Sequence, residues 1–263
     1  PIYLEKQGAF RIADGVPEMM TAVREQLRAG ATQIKLSVGG GVSSNYDPLD
    51  VTEYTFEEIK AAVDVAKTWN TYVMVHANTD ASIRTAIAAG VLSIEHGFLL
   101  EEETIKLMAN KGVWLSPEPL LNDEDAFPFT GENQRKWIQV TDGTDKTYSL
   151  AKKYKAKVAF GTDLLFDPTL GPKQGKFLAK LKRWFTPYEA LKIATSENAE
   201  LLAMCGPRNP YKEGPLGVVA EGAYADLLLV NGNPLENLDL VADPDKNFAM
   251  IMKDGKIYKN TVK

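Results

Sequence analysis

Five short apolar runs, each separated from the next by a helix-length stretch, restrict this chain to an α/β fold. They occupy residues 34–38, 72–76, 92–96, 113–116 and 157–162. Short β-branched or apolar strands alternating with helices of about 10 to 20 residues predict βαβ units around a parallel sheet. The helices are expected at about 16–30, 55–69, 80–89, 101–110, 133–154 and 187–204. Pro17 suits a first helical turn with Asp14 as a possible cap, and Thr55 with Glu58 forms a capping-box pattern.

Polar residues at the carboxyl ends of several runs favour a (β/α)8 barrel, whose active site lies on that face. The alternative is an open doubly wound sheet, but that fold needs a switch point with Gly-rich turns that are missing here. Five strands fall short of the eight that close a barrel. After residue 206 the grammar changes to short strands at about 214–219, 225–230, 248–252 and 255–258, with a hairpin signal at Lys253-Asp254-Gly255-Lys256. Residues 1–206 are therefore expected to form the barrel part, and 207–263 part of a small β-sandwich.

The composition narrows the partners. The net charge of −5 gives no reason to expect nucleic acid or an anionic membrane. No stretch approaches the roughly 18 apolar residues of a membrane-spanning helix. Cys205 is the single cysteine, so an intrachain disulfide and thiolate zinc sites are excluded. Its apolar setting reads as a buried structural thiol. The chain opens on Pro1 with no initiator Met and no signal-peptide pattern, which suggests a processed or truncated protein and leaves its compartment unread.

The chemistry concentrates at the run ends. His76 and His96, the two histidines of the chain, close successive runs. Adjacent strands lie about 4.8 Å apart, so both imidazoles can reach one metal ion. Asp163 closes the fifth run, either as a metal ligand and proton acceptor or as a turn residue. Lys35 sits in mid-run, where a buried amine would have a lowered proton affinity and could react with carbon dioxide. An ion pair or a side chain reaching out to water is the plainer reading.

The ordered set Ile34-Lys35, Val75-His76-Ala77, Ile94-Glu95-His96-Gly97 and Phe160-Gly161-Thr162-Asp163 resembles the amidohydrolase superfamily, in its imidazolonepropionase-like, prolidase-like branch. Residues 10–15, 39–42, 194–200 and 222–227 resemble that branch too. The resemblance implies a (β/α)8 barrel with a β-sandwich built from both chain ends. It implies Lys35 as a carbamylated bridging ligand on the fourth barrel strand, and His76 and His96 as ligands on the fifth and sixth. Asp163 becomes the eighth-strand ligand and general base, and the ions are usually zinc. The implied function is a metal-dependent hydrolase cleaving an amide or peptide-like C–N bond, in a dipeptide or N-acyl amino acid.

The His-any-His pair that this superfamily carries on its first strand is missing. The sequence therefore looks like the C-terminal two-thirds of such an enzyme, with an N-terminal fragment of the same protein as its expected partner and a homo-oligomer as its expected state. The competing expectation is a non-catalytic barrel fragment or a pseudoenzyme serving as an assembly subunit. Asn45, Tyr46 and Asn78 follow the first two runs and could touch substrate. The 39–41 triglycine reads as a flexible loop beside the site. Trp137, Tyr148 and Tyr154 read as core or lid packing. Asp123, Glu124 and Asp125 either favour a cationic substrate group or form an exposed acidic loop.

Overall fold

A computed structural model describes residues 5, 7, 8, 10–164 and 168–262. The predicted alternation is realised: α1 (Val16–Arg28), β1 (Ile34–Ser37), α2 (Phe56–Thr68), β2 (Val73–Thr79), α3 (Asp80–Ala89), β3 (Ser93–Leu99), α4 (Glu102–Lys111), β4 (Trp114–Ser116), α5 (Gly131–Tyr154) and β5 (Lys157–Val158). The five strands form one all-parallel sheet in chain order, which is part of a (β/α)8-type wall. Helix starts follow local chemistry. Thr55 and Glu58 close the expected capping box, and Glu58 also accepts from the Gly15 N–H at 2.8 Å, tying α2 to the start of α1. Gly15, not Asp14, caps α1; the Asp14 N–H donates to Glu18 instead.

Period-two alternation decides which strand residues meet the helices. Ile34, Leu36, Val73, Val75 and Ala77 are buried in the main core, whereas Lys35 and Ser37 face the other way and are exposed. Lys35 is thus not the buried lysine that its mid-run position suggests. It lies on the cavity face of an edge strand, and no described residue packs over it closely enough to bury it.

Helix α5 presses closely on the end of β3. Gly143 leaves no room for a Cβ, which would lie 2.0 Å from the Phe98 carbonyl oxygen. The Thr147 hydroxyl donates to the Gly97 carbonyl at 3.2 Å.

β5 pairs over two residues where six were expected. Ala159 N–H still bonds Leu115, but beyond it the Asn198 side chain replaces a strand. Its Oδ1 accepts from Phe160 N–H at 2.8 Å, and its Nδ2 donates to the Phe160 carbonyl at 2.9 Å. Asn198 follows a five-residue π-helical segment, Ile193–Glu197, that interrupts the expected 187–204 helix between Pro187–Lys192 and Asn198–Ala203. Such insertions re-aim the residues after them.

The C-terminal part is a three-stranded antiparallel sheet, β6 (Leu227–Val230), β7 (Phe248–Lys253) and β8 (Lys256–Asn260). Asp254 and Gly255, at φ 51° and 72°, make the two-residue hairpin turn that the sequence signals. The strand expected at 214–219 does not form. Gly217 has φ 69° and lies against the Thr195 backbone, so this stretch turns where a strand would extend. Among the described residues, no helix is long and apolar enough to cross a membrane.

Candidate active site

The strand ends open into a cavity of about 660 Å3 lined by Lys35, His76, His96 and Asp163, with Asn78 beside them. Asn45 and Tyr46 lie outside it. Both are exposed, and Tyr46 sits at φ 56°, so the loop tip that carries them turns toward solvent while Ser44 and Asp47 face the cavity.

Strand register alone would place His76 and His96 on opposite faces, because His76 pairs with Glu95 and His96 with Ala77. Backbone conformation overrides that alternation. His96 adopts φ 75° and Gly97 φ 67°, and the β2–β3 register shifts just beyond Ala77. The two rings therefore meet edge to face, with centroids 4.3 Å apart. Asp163 is also left-handed, at φ 49°. Non-glycine residues reach this region at an energetic cost, and such outliers cluster at functional sites.

Each imidazole is oriented by a partner that only accepts. His76 Nε2 lies 3.0 Å from the Gly40 carbonyl oxygen, so the proton sits on Nε2 and Nδ1 keeps the lone pair. His96 Nδ1 lies 2.8 Å from Oε2 of Glu118, which leaves the neutral ring's lone pair on Nε2. Burial, then the neighbouring His96, push the His76 pKa down to about 4 against the opposing pull of the Gly40 carbonyl. Burial opposes charge on His96 as well, but the charge and hydrogen bond of Glu118 outweigh it and raise the pKa. The Asp163 carboxyl is raised by burial and by Glu118, against His96 and Lys35.

Glu118, only 4% exposed, was missed by sequence reasoning. The signal was present: Ser116-Pro117-Glu118 places an acid just after the fourth run, as Asp163 follows the fifth. Asn78 is buried, with Nδ2 donating to Gly40 at 3.3 Å and Oδ1 unpartnered. Of the 123–125 acids only Glu124 is exposed, and all three pair with lysines of the chain itself, Glu124 with Lys176. Asp125 is buried against Lys176 and Lys180, and Asp123 pairs with Lys180 at 2.8 Å. The cavity wall facing the imidazoles is apolar, built from Phe98, Leu120, Phe127, Phe129 and Trp137. Tyr148 is core, stacked on Trp184 at 4.2 Å.

Among the described residues, no three His, Cys, Asp or Glu side chains converge as a metal cage. The donor chemistry of the imidazole pair still fits a metal ion. The two rings lie against each other, each in its neutral form keeps one nitrogen free of the protein partner that orients it, and one ring is buttressed by a carboxylate as metal-binding histidines commonly are.

The amidohydrolase family matches residues 3–258, and the chain belongs to that family. Ochratoxinase of Aspergillus niger is 34% identical over 257 residues, covering 96% of this chain and 51% of that protein. The chain therefore spans about half the length of the curated relatives it matches. The crystal structure of an amidohydrolase superposes with a TM-score of 0.87 at 36% identity, covering 96% of this chain and 60% of that one. A prolidase complexed with N-methylphosphonate-L-proline gives 0.85 at 36% identity, covering 95% and 60%.

Proposed function

We propose that this chain carries most of the active site of a metal-dependent hydrolase that cleaves the C–N bond of a dipeptide or N-acyl amino acid. The observation that carries the reading is the paired imidazoles, with lone pairs on Nδ1 of His76 and Nε2 of His96, in one cavity with Asp163 and Lys35. The similarity to ochratoxinase and to a prolidase supports the amide class of bond.

His76, His96, Asp163 and, as its carbamate, Lys35 would hold one or two divalent ions, with zinc suited to imidazole donors. Bound there, an ion supplies Lewis-acid polarisation of the carbonyl and a water acidified toward a pKa of about 7. The chain's residues do the rest. Asp163 accepts the proton of the attacking water on a carboxylate oxygen and returns it to the leaving nitrogen. Glu118 holds His96 in one orientation. The Phe127, Phe129 and Trp137 wall packs an apolar substrate group and keeps bulk water from the bond being cut.

The test is a panel of dipeptides, Xaa-Pro members included, and N-acyl amino acids, with metal content and every co-purifying polypeptide identified by mass. Hydrolysis lost on chelation and restored by zinc is the expected result. Hydrolysis of no panel member by zinc-loaded protein, or hydrolysis indifferent to chelation, overturns the reading and favours a non-catalytic subunit.

A further inference from the structure

Lys136 on α5 is buried to 3% exposure and has no carboxylate among its hydrogen-bond acceptors. A buried ammonium costs several kcal/mol unless its donors are satisfied. Here all three are used, each on a backbone carbonyl of one loop: Gly41 at 2.5 Å, Ser44 at 2.7 Å and Asp47 at 3.0 Å.

The same loop is also closed on itself. The Asp47 carboxylate accepts from Gly41 N–H at 2.9 Å and from the Ser44 hydroxyl. Gly40, between these contacts, has no room for a side chain, because a Cβ would lie 1.9 Å from the Pro48 carbonyl oxygen. The loop read from sequence as flexible is therefore clamped, by a lysine from α5 on its carbonyls and by its own aspartate on its Gly41 N–H and Ser44 hydroxyl.

The clamp begins one residue past the Gly40 carbonyl, which accepts from His76 Nε2 and, at 3.3 Å, from Asn78 Nδ2. The backbone approach is shared. Val38 N–H and Gly39 N–H both bond the His76 carbonyl, at 2.9 and 3.3 Å, so residues 38–40 grip His76 by main chain and side chain together.

We propose that Lys136 is a positioning residue: by fixing the 39–47 loop, its ammonium makes the Gly40 carbonyl select the Nε2–H tautomer of His76 and leaves the lone pair on Nδ1. The importance of that lone pair rests on the proposed function, but the tautomer selection does not. No turnover on the substrate panel would sink the functional reading and leave this one standing.

Two histidines in the whole chain make the test direct. In 15N-labelled, metal-free protein, above the titration of both rings, long-range proton–nitrogen spectra assign each ring's tautomer. Wild type should show His76 protonated on Nε2 and His96 on Nδ1, with the two nitrogen resonances of each ring far apart. In Lys136→Met the two His76 resonances should converge as the tautomers mix. Those of His96, which is held by Glu118, should not move. Lys136→Arg, which keeps the charge and several donors, should restore most of the separation.

His76 remaining on Nε2–H in folded Lys136→Met overturns the proposal. So does equal loss of order at both rings, which would make Lys136 a general stabiliser. If Lys136→Met does not fold, Asp47→Asn loosens the loop at its internal bonds and is read by the same two criteria.

Discussion

His96 Nδ1 lies 2.8 Å from Oε2 of Glu118, and both side chains are buried. The contact joins the middle of β3 to the segment just after β4, so two neighbouring strands are locked together beside the cavity. It also decides which nitrogen of His96 is free, which the histidine's own sequence position could not.

If the imidazole pair binds zinc as proposed, removing this acceptor should weaken metal binding more than it weakens the fold. For Glu118→Gln, which can still accept a hydrogen bond but carries no charge, zinc affinity should fall about tenfold. For Glu118→Ala the expected loss approaches about a hundredfold, the usual range for such supporting partners. Chelator competition measures both. Unchanged affinity in the alanine variant would detach Glu118 from the metal.

Asp163 sits at the cavity, its carboxyl pKa raised by burial and by the charge of Glu118. Asp163→Asn keeps the shape and removes the base of the proposed mechanism. Turnover should fall by a factor of about 10² to 10⁴ while the circular dichroism spectrum is unchanged. A variant retaining a tenth or more of the wild-type rate would assign the proton transfer elsewhere.

Gly143 reverses a common rule. Alanine for glycine inside a helix ordinarily gains about 1 kcal/mol. Here the added methyl would meet the Phe98 carbonyl at 2.0 Å, and overpacking costs about 1–3 kcal/mol. Gly143→Ala should therefore lower the melting temperature by a few degrees. Gly171→Ala, at a position with open space, should leave it level or slightly raised. A stabilised Gly143→Ala would show that α5 does not press on β3 as described.

Two groups near the site titrate in opposition. Burial, with the charge and hydrogen bond of Asp47, raises the Glu53 pKa from 4.5 to about 7, so its contribution to stability is present at low pH and lost as pH rises through that range. The His76 pKa is depressed to about 4, so its contribution is present above about 6.5 and lost as pH falls. Between about pH 4.5 and 6.5 the two slopes oppose each other and flatten the profile. Glu53→Gln removes the first, and denaturant midpoints should then climb more steeply with pH in that window. An unchanged slope would mean that Glu53 titrates normally. Because the Glu53 side chain is only partly shielded from water, the effect is expected to be small.

Local signals were legible in the sequence. The capping box at Thr55 and Glu58, the Asp254–Gly255 turn, the order of strands and helices and four of the cavity residues all follow from patterns a few residues long. Such features form because neighbouring groups satisfy each other, whatever lies beyond. The amidohydrolase resemblance rested on the same short phrases, and the family match supports it.

Tertiary structure alone decided the rest. Period-two alternation cannot say which face of β1 is covered, so Lys35 read as buried and proved exposed. That His76 and His96 would come together was legible, but not how: the strand register sets them on opposite faces, and the left-handed backbone at His96 that reunites them forms only when the site around it is assembled. Asn198 shortened β5 from 38 residues away. Lys136 reached its three carbonyls across some 90 residues of chain. Sequence specifies a residue's chemistry and its local backbone preference. Which buried donor meets which acceptor depends on distances that exist only after the helices have packed on the sheet.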